Sequence, residues 1–191
     1  MEREIGTQRD QLLAGLSGRV VEVGAGNGAN FRHYPQAVEE AVAIEPEPYL
    51  RAKAEQAARD APVRVRVVEG VAGKLPLESG SVDAAIASLV LCTIPDGPGA
   101  LREMRRVLKP GGELRFLEHV RSDKPHKARV QRISDGSGIW PLLGGGCHCS
   151  RDTVASIKSA GYSIERVDSF SLGPSWWITN PHVLGAARAP Q

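Results

Sequence analysis

The sequence predicts an α/β fold with a largely parallel, seven-stranded sheet and helices on both faces. Short apolar segments typical of strands alternate with segments of helical pattern, which is the order of a layered α/β domain. Pro48 suits the start of a helix, and Pro110-Gly111-Gly112 is a strong stop signal. The 191 residues are expected to form one domain, residues 1–191. A chain of this length buries about 70% of its unfolded surface, so it needs no disulfide or metal to fold.

The alternation also predicts where each element lies. The strands are placed at Arg19–Glu22, Ala41–Ile44, Val63–Glu69, Val82–Ser88, Gly112–His119, Ser163–Ser169 and Val183–Arg188. The helices are placed at Glu4–Leu16, Gly28–Tyr34, Pro48–Ala61, Gly99–Leu108 and Arg151–Ala160. The last two strands are close in sequence, and we expect them to pair antiparallel at the edge of the sheet.

Composition narrows the possible partners and compartment. The net charge is +2, and the densest basic group, Arg105 to Lys109, ends a predicted helix, where cations suit the helix dipole. A nucleic-acid partner is therefore not expected. No apolar run reaches the roughly 18 residues that cross a bilayer, so no membrane anchor is expected. The odd number of three cysteines and the lack of a signal peptide favour a cytoplasmic location.

The segment VVEVGAGNG, residues 20–28, predicts a cofactor site. It is an apolar strand that runs into a glycine-rich turn, and glycines allow a tight turn and close approach of a ligand. A helix predicted to begin at about Gly28 would direct free N–H groups to the same place. Gly24, Gly26 and Ala29 also satisfy G-x-G-x-x-A, so a dinucleotide remains one alternative.

Two carboxylates help to distinguish the cofactors. Glu22 lies within the first strand, where a dinucleotide site has no use for a carboxylate. S-adenosylmethionine carries an ammonium group that Glu22 could bind directly or through an ordered water, while loop amides are the other possible partners. Glu45 ends the second strand about 20 residues after the glycine loop, where it can accept hydrogens from both ribose hydroxyls of either cofactor.

Three motifs in order resemble the class I S-adenosylmethionine-dependent methyltransferases, especially the small-molecule branch with quinone-biosynthesis C-methyltransferases. They are the E-x-G-x-G-x-G loop, the S-V-D-A-A-I strand and the L-K-P-G-G turn, within residues 18–120. The resemblance implies the Rossmann-like methyltransferase fold and S-adenosylmethionine as cofactor. Its expected binding residues are Glu22, Gly24, Ala25, Gly26, Gly28, Asn30, Glu45, Pro46, Val71, Ala72, Ser88 and Leu89.

One position departs from the quinone-type pattern. In those enzymes an Asp usually follows the glycine after the third strand and accepts from the adenine amino group, whereas Val71 stands here. We therefore expect backbone groups of Val71 and Ala72, with apolar packing, to hold adenine. Ser88 and Leu89 should pass beside the methionine part of the cofactor.

A narrower resemblance covers nearly the whole chain. The segments GANFRHYP, SLVLCTIPD, FLEHV, WPLLGGGCHCSRDT and SWWITNPHVLGAA are similar to the alkyl-thiol methyltransferases. This implies a small thiol as the methyl acceptor. Relatives use N-terminal helices as a lid; residues 1–17 supply one short helix, and the segment 120–150 is our candidate for the acceptor site.

Several side chains could serve the acceptor. His119 ends the fifth strand, where an imidazole could take a proton from the acceptor or act as a structural histidine. Cys92 is either a pocket residue or a small apolar core residue. Trp140, Trp176-Trp177 and His182 could contact an apolar acceptor or belong to the core.

Cys147-His148-Cys149 suggests a metal site only at first sight. Adjacent residues seldom converge on one ion, and no partner pair of Cys or His lies at standard spacing. No metal is therefore expected, and a pocket-lining thiol or a surface loop is favoured.

The sequence thus favours methyl transfer to a small molecule, with a thiol as the first acceptor class. O- or C-methylation of a phenol, a quinol or another metabolite is the alternative. Two further classes stay open: a nicotinamide oxidoreductase, which would prefer NADH to S-adenosylhomocysteine, and a non-catalytic cofactor-binding module, which would bind without turnover.

Overall fold

A computed structural model describes the backbone of residues 2–174 and 176–191, with side chains from residue 5 onward. Its strands are β1 (Gly18–Val23), β2 (Val38–Ile44), β3 (Val65–Val68), β4 (Val82–Ser88), β5 (Leu108–His119), β6 (Ser163–Ser171) and β7 (Pro181–Arg188). Its helices are α1 (Glu2–Leu13), α2 (Pro48–Ala58), α3 (Gly97–Val107), α4 (Pro125–Gly136), α5 (Ile139–Leu143) and α6 (Thr153–Ser159).

The described strands form one sheet in the order β3-β2-β1-β4-β5-β7-β6. Strands β1 to β5 pair parallel, and β7 pairs antiparallel with both β5 and β6. The predicted mostly parallel sheet with an antiparallel C-terminal pair at its edge is confirmed. Because Val23 pairs with Ile44 on one side and Ala87 on the other, the loops after β1, β2 and β4 emerge side by side.

Both faces of the sheet are buried, as a parallel sheet requires. Along β1, Val21 and Val23 face one apolar core together with residues of α3 and α6. Val20 faces the second core, where Leu12 and Leu13 at the end of α1 pack against the sheet. By the alternation of a strand, Glu22 points to the same side as Val20.

The helix predicted at Gly28–Tyr34 is wrong. The structure has only a 3-10 turn, Phe31–His33. Gly28 has φ +80°, a left-handed conformation that an α-helix cannot contain. Its N–H donates to the Ala25 carbonyl, and its own carbonyl accepts from the Phe31 N–H. Both hydrogen bonds join residues three apart, as in tight turns, and not four apart as in an α-helix.

Helices α4 and α5 were not predicted. Most large apolar side chains of the segment that holds them are exposed, among them Ile133, Ile139 and Leu142, and a buried polar side chain anchors α4. Gln131 accepts from Ser122 N–H at 2.7 Å and donates to the carbonyls of Val120 and Ile178. These partners lie outside α4, so its local pattern did not show them.

The helices of the described part of the chain are short. No helix there combines the length and the apolar character that crossing a bilayer requires.

Candidate cofactor and acceptor site

The three glycines of the loop after β1 all have positive φ, at +70°, +58° and +80° for Gly24, Gly26 and Gly28. The reasons for glycine differ. A Cβ on Gly24 would collide with the Val90 side chain, and one on Gly28 would lie 2.7 Å from the Phe31 ring. These two glycines are therefore required by packing within the protein.

Gly26 is different, because no atom lies within 4 Å of where its Cβ would be. The space above its backbone is open, although its left-handed conformation still favours glycine. Gly26 thus leaves room for a ligand to lie against the loop.

Glu45 lies directly beside Gly26. Its Oε2 accepts from the Gly26 N–H at 2.8 Å, and its Oε1 accepts from the Glu47 N–H at 3.0 Å. The carboxylate is thereby held in one orientation, and each oxygen keeps a second lone pair for another donor. Glu45 can still accept hydrogen bonds from two neighbouring hydroxyl groups.

Glu22 is buried, and each of its oxygens has a donor within the protein. Its two oxygens accept from Asn30 Nδ2 and Tyr34 Oη, each at 2.8 Å. Arg9 of α1 donates to Asn30 Oδ1, which links α1 to the loop. Burial raises the pKa of Glu22 to about 7, against the opposing effect of the two donors. Glu22 and Asn30 thus support the glycine loop from its buried side.

The end of β4 carries two unusual features. The hydroxyl of Ser88 is buried and has no hydrogen-bond partner within the protein. Leu89 has φ +55°, the one left-handed residue other than glycine in the described chain, and its N–H donates to the Leu117 carbonyl at 2.7 Å. Such strain concentrates at functional sites.

The remaining residues expected at the cofactor lie along the same edge. Ala25 is buried, and its N–H donates to the Ile44 carbonyl at 3.0 Å. Pro46 is exposed directly after Glu45. Val71 is 55% exposed, and its carbonyl already accepts from the Lys74 N–H at 3.0 Å. Ala72 is partly buried and packs against the core.

A cavity of about 320 Å³ adjoins this edge at Leu89. Its walls come from α1, from the loop after β4, from the segment 120–150 and from the residues before β7. The lining side chains include Ile5, Leu89, Cys92, Thr93, His119, Trp140, Cys147, Leu172, Trp177 and His182. Trp176, in contrast, is 76% exposed.

Three side chains meet in the wall of this cavity: Cys92, His119 and Cys147. Their sulfur and ring-nitrogen atoms all lie within 4.8 Å of one another. His119 Nε2 is 2.9 Å from Cys147 Sγ, and Trp140 Nε1 donates to the same sulfur at 3.4 Å. Sequence reasoning missed this convergence, although Cys92 lies shortly after β4 and His119 ends the neighbouring strand β5.

The contacts in this cluster change the acidity of its members. A hydrogen bond from Cys92, together with His119 and Trp140, lowers the pKa of the Cys147 thiol well below its usual value despite burial. The same bond to Cys147 raises the pKa of Cys92, and burial adds to the effect. Burial alone would lower the pKa of His119, but contact with Cys147 raises it.

The other members of the Cys147-His148-Cys149 motif point elsewhere. The Cys149 thiol contacts Asp135 Oδ1 at 3.3 Å. His148 contributes its backbone, whose N–H donates to the Cys92 carbonyl at 2.8 Å. The side chains of these three adjacent residues do not meet at one point. The sequence also predicted that they would not converge.

Glu118 fixes the loop that carries Cys92. It is fully buried, and its Oε1 accepts from the N–H groups of Val90 and Leu91 at 3.0 and 2.9 Å. From the other side, Arg151 donates to the carbonyls of Leu91 and Ile94. The loop between the two candidate sites is thus held by the side chains of Glu118 and Arg151.

The dinucleotide alternative loses its main structural support. A dinucleotide site places the pyrophosphate at the N-terminus of the helix that follows the glycine loop. Here the loop leads into the short turn Phe31–His33, which offers no such helix end.

The chain belongs to the methyltransferase domain family, which matches residues 21–116. Among its relatives is the thiol S-methyltransferase TMT1A of Homo sapiens, 32% identical over 185 residues that cover 93% of this chain and 74% of the human protein. The prediction that this protein is a methyltransferase is confirmed.

Solved structures show the same fold at lower identity. The BH2331 protein of Bacillus halodurans C-125 has a TM-score of 0.79 at 15% identity, over 97% of this chain and 98% of that one. Geranyl diphosphate methyltransferase, solved in complex with S-adenosylmethionine, has a TM-score of 0.72 at 15% identity, over 98% and 85%. At such identities the likeness concerns the fold alone.

Proposed function

We propose that this methyltransferase transfers the methyl group of S-adenosylmethionine to a small, largely apolar thiol. The observation that carries the proposal is the shared edge of the sheet on which these features lie. The open backbone at Gly26, the carboxylate of Glu45 and the end of β4 lie along one edge, and Leu89 joins that edge to the cavity.

The residues at the edge fit the chemical groups of this cofactor. Glu45 suits the two ribose hydroxyls, because its oxygens are oriented by backbone donors and keep free lone pairs. The open space at Gly26 suits close approach of the amino-acid part. The unpaired hydroxyl of Ser88 supplies a buried polar group that a ligand atom would satisfy.

Glu22 takes a role different from the one we favoured from the sequence. Glu22 is buried, and both of its oxygens accept from side chains that follow the glycine loop, Asn30 and Tyr34, so we propose that it supports the loop and acts on the cofactor ammonium only through that loop.

The reaction requires little acid–base catalysis by the protein. When bound, the cofactor supplies a methyl group that its sulfonium already activates. The residues of the cavity wall align the acceptor with that group and exclude water. A thiol with a pKa near about 8.5 is partly ionised at neutral pH, so it needs less help from a base than a phenol or a carbon acceptor.

Two observations support a thiol of apolar character. The relative with 32% identity over most of the chain is named a thiol S-methyltransferase. The cavity is lined by Leu89, Leu172 and Trp177, which suit an alkyl or aryl substituent. We place the enzyme in a reducing compartment such as the cytosol, because its three cysteines are free thiols.

The test uses purified protein with methyl-labelled S-adenosylmethionine and a panel of alkyl thiols, aryl thiols and phenols, with products identified by mass. We expect S-methyl products. Glu45→Ala should abolish turnover and S-adenosylhomocysteine binding in calorimetry. Glu69→Gln is the matched control, because this exposed carboxylate follows the neighbouring strand β3 and pairs only with Arg51 among the described side chains.

Two outcomes would contradict the proposal. Full activity of Glu45→Ala would remove the cofactor assignment. Tight S-adenosylhomocysteine binding with methylation of phenols but of no thiol would move the protein to O-methylation.

A further inference from the structure

The cluster Cys92, His119 and Cys147 has no assigned role in the methyl transfer described so far. Cys92 and Cys147 are buried, at 1% and 6% exposure, yet both line the acceptor cavity. The three residues come from separate parts of the chain, and the fold brings them to one point. This convergence calls for a chemical explanation.

The donor set is one that zinc prefers. Zinc binds two sulfurs and an imidazole nitrogen at about 2.3 and 2.0 Å in tetrahedral geometry, which places the ligand atoms about 3.5–3.8 Å apart. Here the three atoms all lie within 4.8 Å, with Nε2 and the Cys147 sulfur at 2.9 Å. Small side-chain rotations would therefore fit an ion between them.

We propose that Cys92, His119 and Cys147 form a zinc site that keeps its fourth coordination position open to the acceptor cavity. Within the described residues, no fourth Cys, His or carboxylate joins the group. A structural zinc site has four protein ligands, whereas a catalytic site has three and leaves a position for water or substrate.

The surroundings hold the ligands in place. The indole N–H of Trp140 donates to the Cys147 sulfur, a typical outer contact of a metal-bound thiolate. The His148 N–H donates to the Cys92 carbonyl at 2.8 Å, which ties the two cysteine-bearing loops together. Because the site is fixed in this way, the ion would not have to order a mobile segment.

The open position defines how the acceptor binds. This binding mode rests on the proposed function. The acceptor thiol would coordinate at the open position as a thiolate and release its proton to solvent. Its sulfur then forms a bond to the methyl carbon as the carbon–sulfonium bond breaks, which leaves a neutral thioether and S-adenosylhomocysteine. A neutral thioether is a weaker zinc ligand than a thiolate, so the product leaves readily.

Metal content and cobalt spectroscopy test the site without relying on turnover. The full chain is purified under reducing conditions, its zinc is measured by plasma mass spectrometry, and the metal is replaced with Co²⁺. We expect one ion per chain and an intense thiolate-to-cobalt charge-transfer band. Adding an alkyl thiol in the presence of S-adenosylhomocysteine should shift the cobalt spectrum, because the thiol enters the fourth position.

Variants localise the ion. Cys92→Ser and Cys147→Ser should each lower zinc affinity at least about tenfold. Cys149→Ser is the matched control, since Cys149 is equally buried but its thiol contacts Asp135 outside the cluster. S-adenosylhomocysteine binding, measured by calorimetry on every variant, shows whether each one is folded.

Several results would overturn the site. They are zinc below a tenth of an equivalent with a folded protein, equal loss of zinc in Cys149→Ser, or a Cys92–Cys147 disulfide in the freshly reduced enzyme. A cobalt spectrum insensitive to thiols would refute the open position. Bound zinc with no methylated thiol would instead refute the proposed function, so the two failures are distinguishable.

Discussion

Tyr34 donates its phenol hydrogen to Oε2 of Glu22 at 2.8 Å, and both side chains are buried. Asn30 donates to the other oxygen of the same carboxyl group. Burial outweighs these two donors and raises the pKa of Glu22 to about 7. The hydrogen bonds between Glu22, Asn30 and Tyr34 beneath the glycine loop are therefore sensitive to pH near neutrality.

We predict that the free energy of unfolding falls as pH rises from about 4.5 to about 7 because of Glu22. In this range the folded protein holds a proton that the unfolded chain releases, so the folded state loses stability with rising pH. The shift corresponds to about 3 kcal/mol at most. Urea unfolding of wild type and Glu22→Gln across this range checks it.

The glutamine variant should show a flatter stability profile and exceed wild type at the alkaline end. Glu39→Gln, an exposed carboxyl of β2, should keep the wild-type slope. Parallel profiles for wild type and Glu22→Gln would show that Glu22 does not titrate as stated.

Gly26→Ala and Gly111→Ala form a matched pair. Both glycines have positive φ, at +58° and +69°, and neither has an atom within 4 Å of a built Cβ. Both variants should lose about 1–2 kcal/mol of stability from left-handed strain. Only Gly26→Ala should weaken S-adenosylhomocysteine binding, by about tenfold or more, or about 1.4 kcal/mol. Calorimetry measures the affinity, and equal affinities would mean that the loop does not contact the ligand.

Ser88→Ala should not destabilise the free protein. Its buried hydroxyl has no partner within the protein, and removing it should raise the free energy of unfolding by about 1 kcal/mol. S-adenosylhomocysteine affinity should fall about threefold to tenfold, the value of one hydrogen bond. Thr153→Val removes another unpartnered hydroxyl, in α6, and should leave the affinity unchanged. A stability loss at Ser88 with unchanged affinity would assign it to the core.

Arg151 should matter far more than its neighbour Arg121. Arg151 donates to the carbonyls of Leu91 and Ile94, so Arg151→Gln should cost about 2 kcal/mol of unfolding free energy and loosen the loop that carries Cys92. Arg121 forms a half-exposed ion pair with Asp152, and Arg121→Gln should cost less than about 1 kcal/mol. Denaturant titration compares them, and equal losses would show that the two carbonyl contacts add little.

Much of the sheet could be predicted because its strands carry their own signal. Strand β4 was placed at its observed bounds, Val82–Ser88. The error at Gly28–Tyr34 arose because three glycines in left-handed conformation redirect the chain, which hydrophobic periodicity does not record. Helix α4 escaped prediction because Gln131 anchors it to residues far away in sequence.

The candidate site also has a part that could be predicted from the sequence and a part that could not. The edge with Gly26 and Glu45 could be predicted, because strand ends in a parallel sheet meet at one side. The convergence of Cys147 with His119 could not, since Cys147 lies in a loop whose path depends on α4 and α5. From sequence alone, Cys147 was compared with its neighbours His148 and Cys149, whereas the other members of its cluster, His119 and Cys92, lie 28 and more residues earlier.

The two halves of the candidate site come largely from different stretches of the sequence. The edge with Gly26, Glu45 and Ser88 is complete before residue 90, whereas Trp140, Leu172 and other cavity walls follow much later in the chain. Mutations in those late walls change the shape available to an acceptor and leave the earlier edge intact. If, as we propose, the edge binds the methyl donor and the cavity binds the acceptor, substitutions in the late walls can change the acceptor without changing the donor.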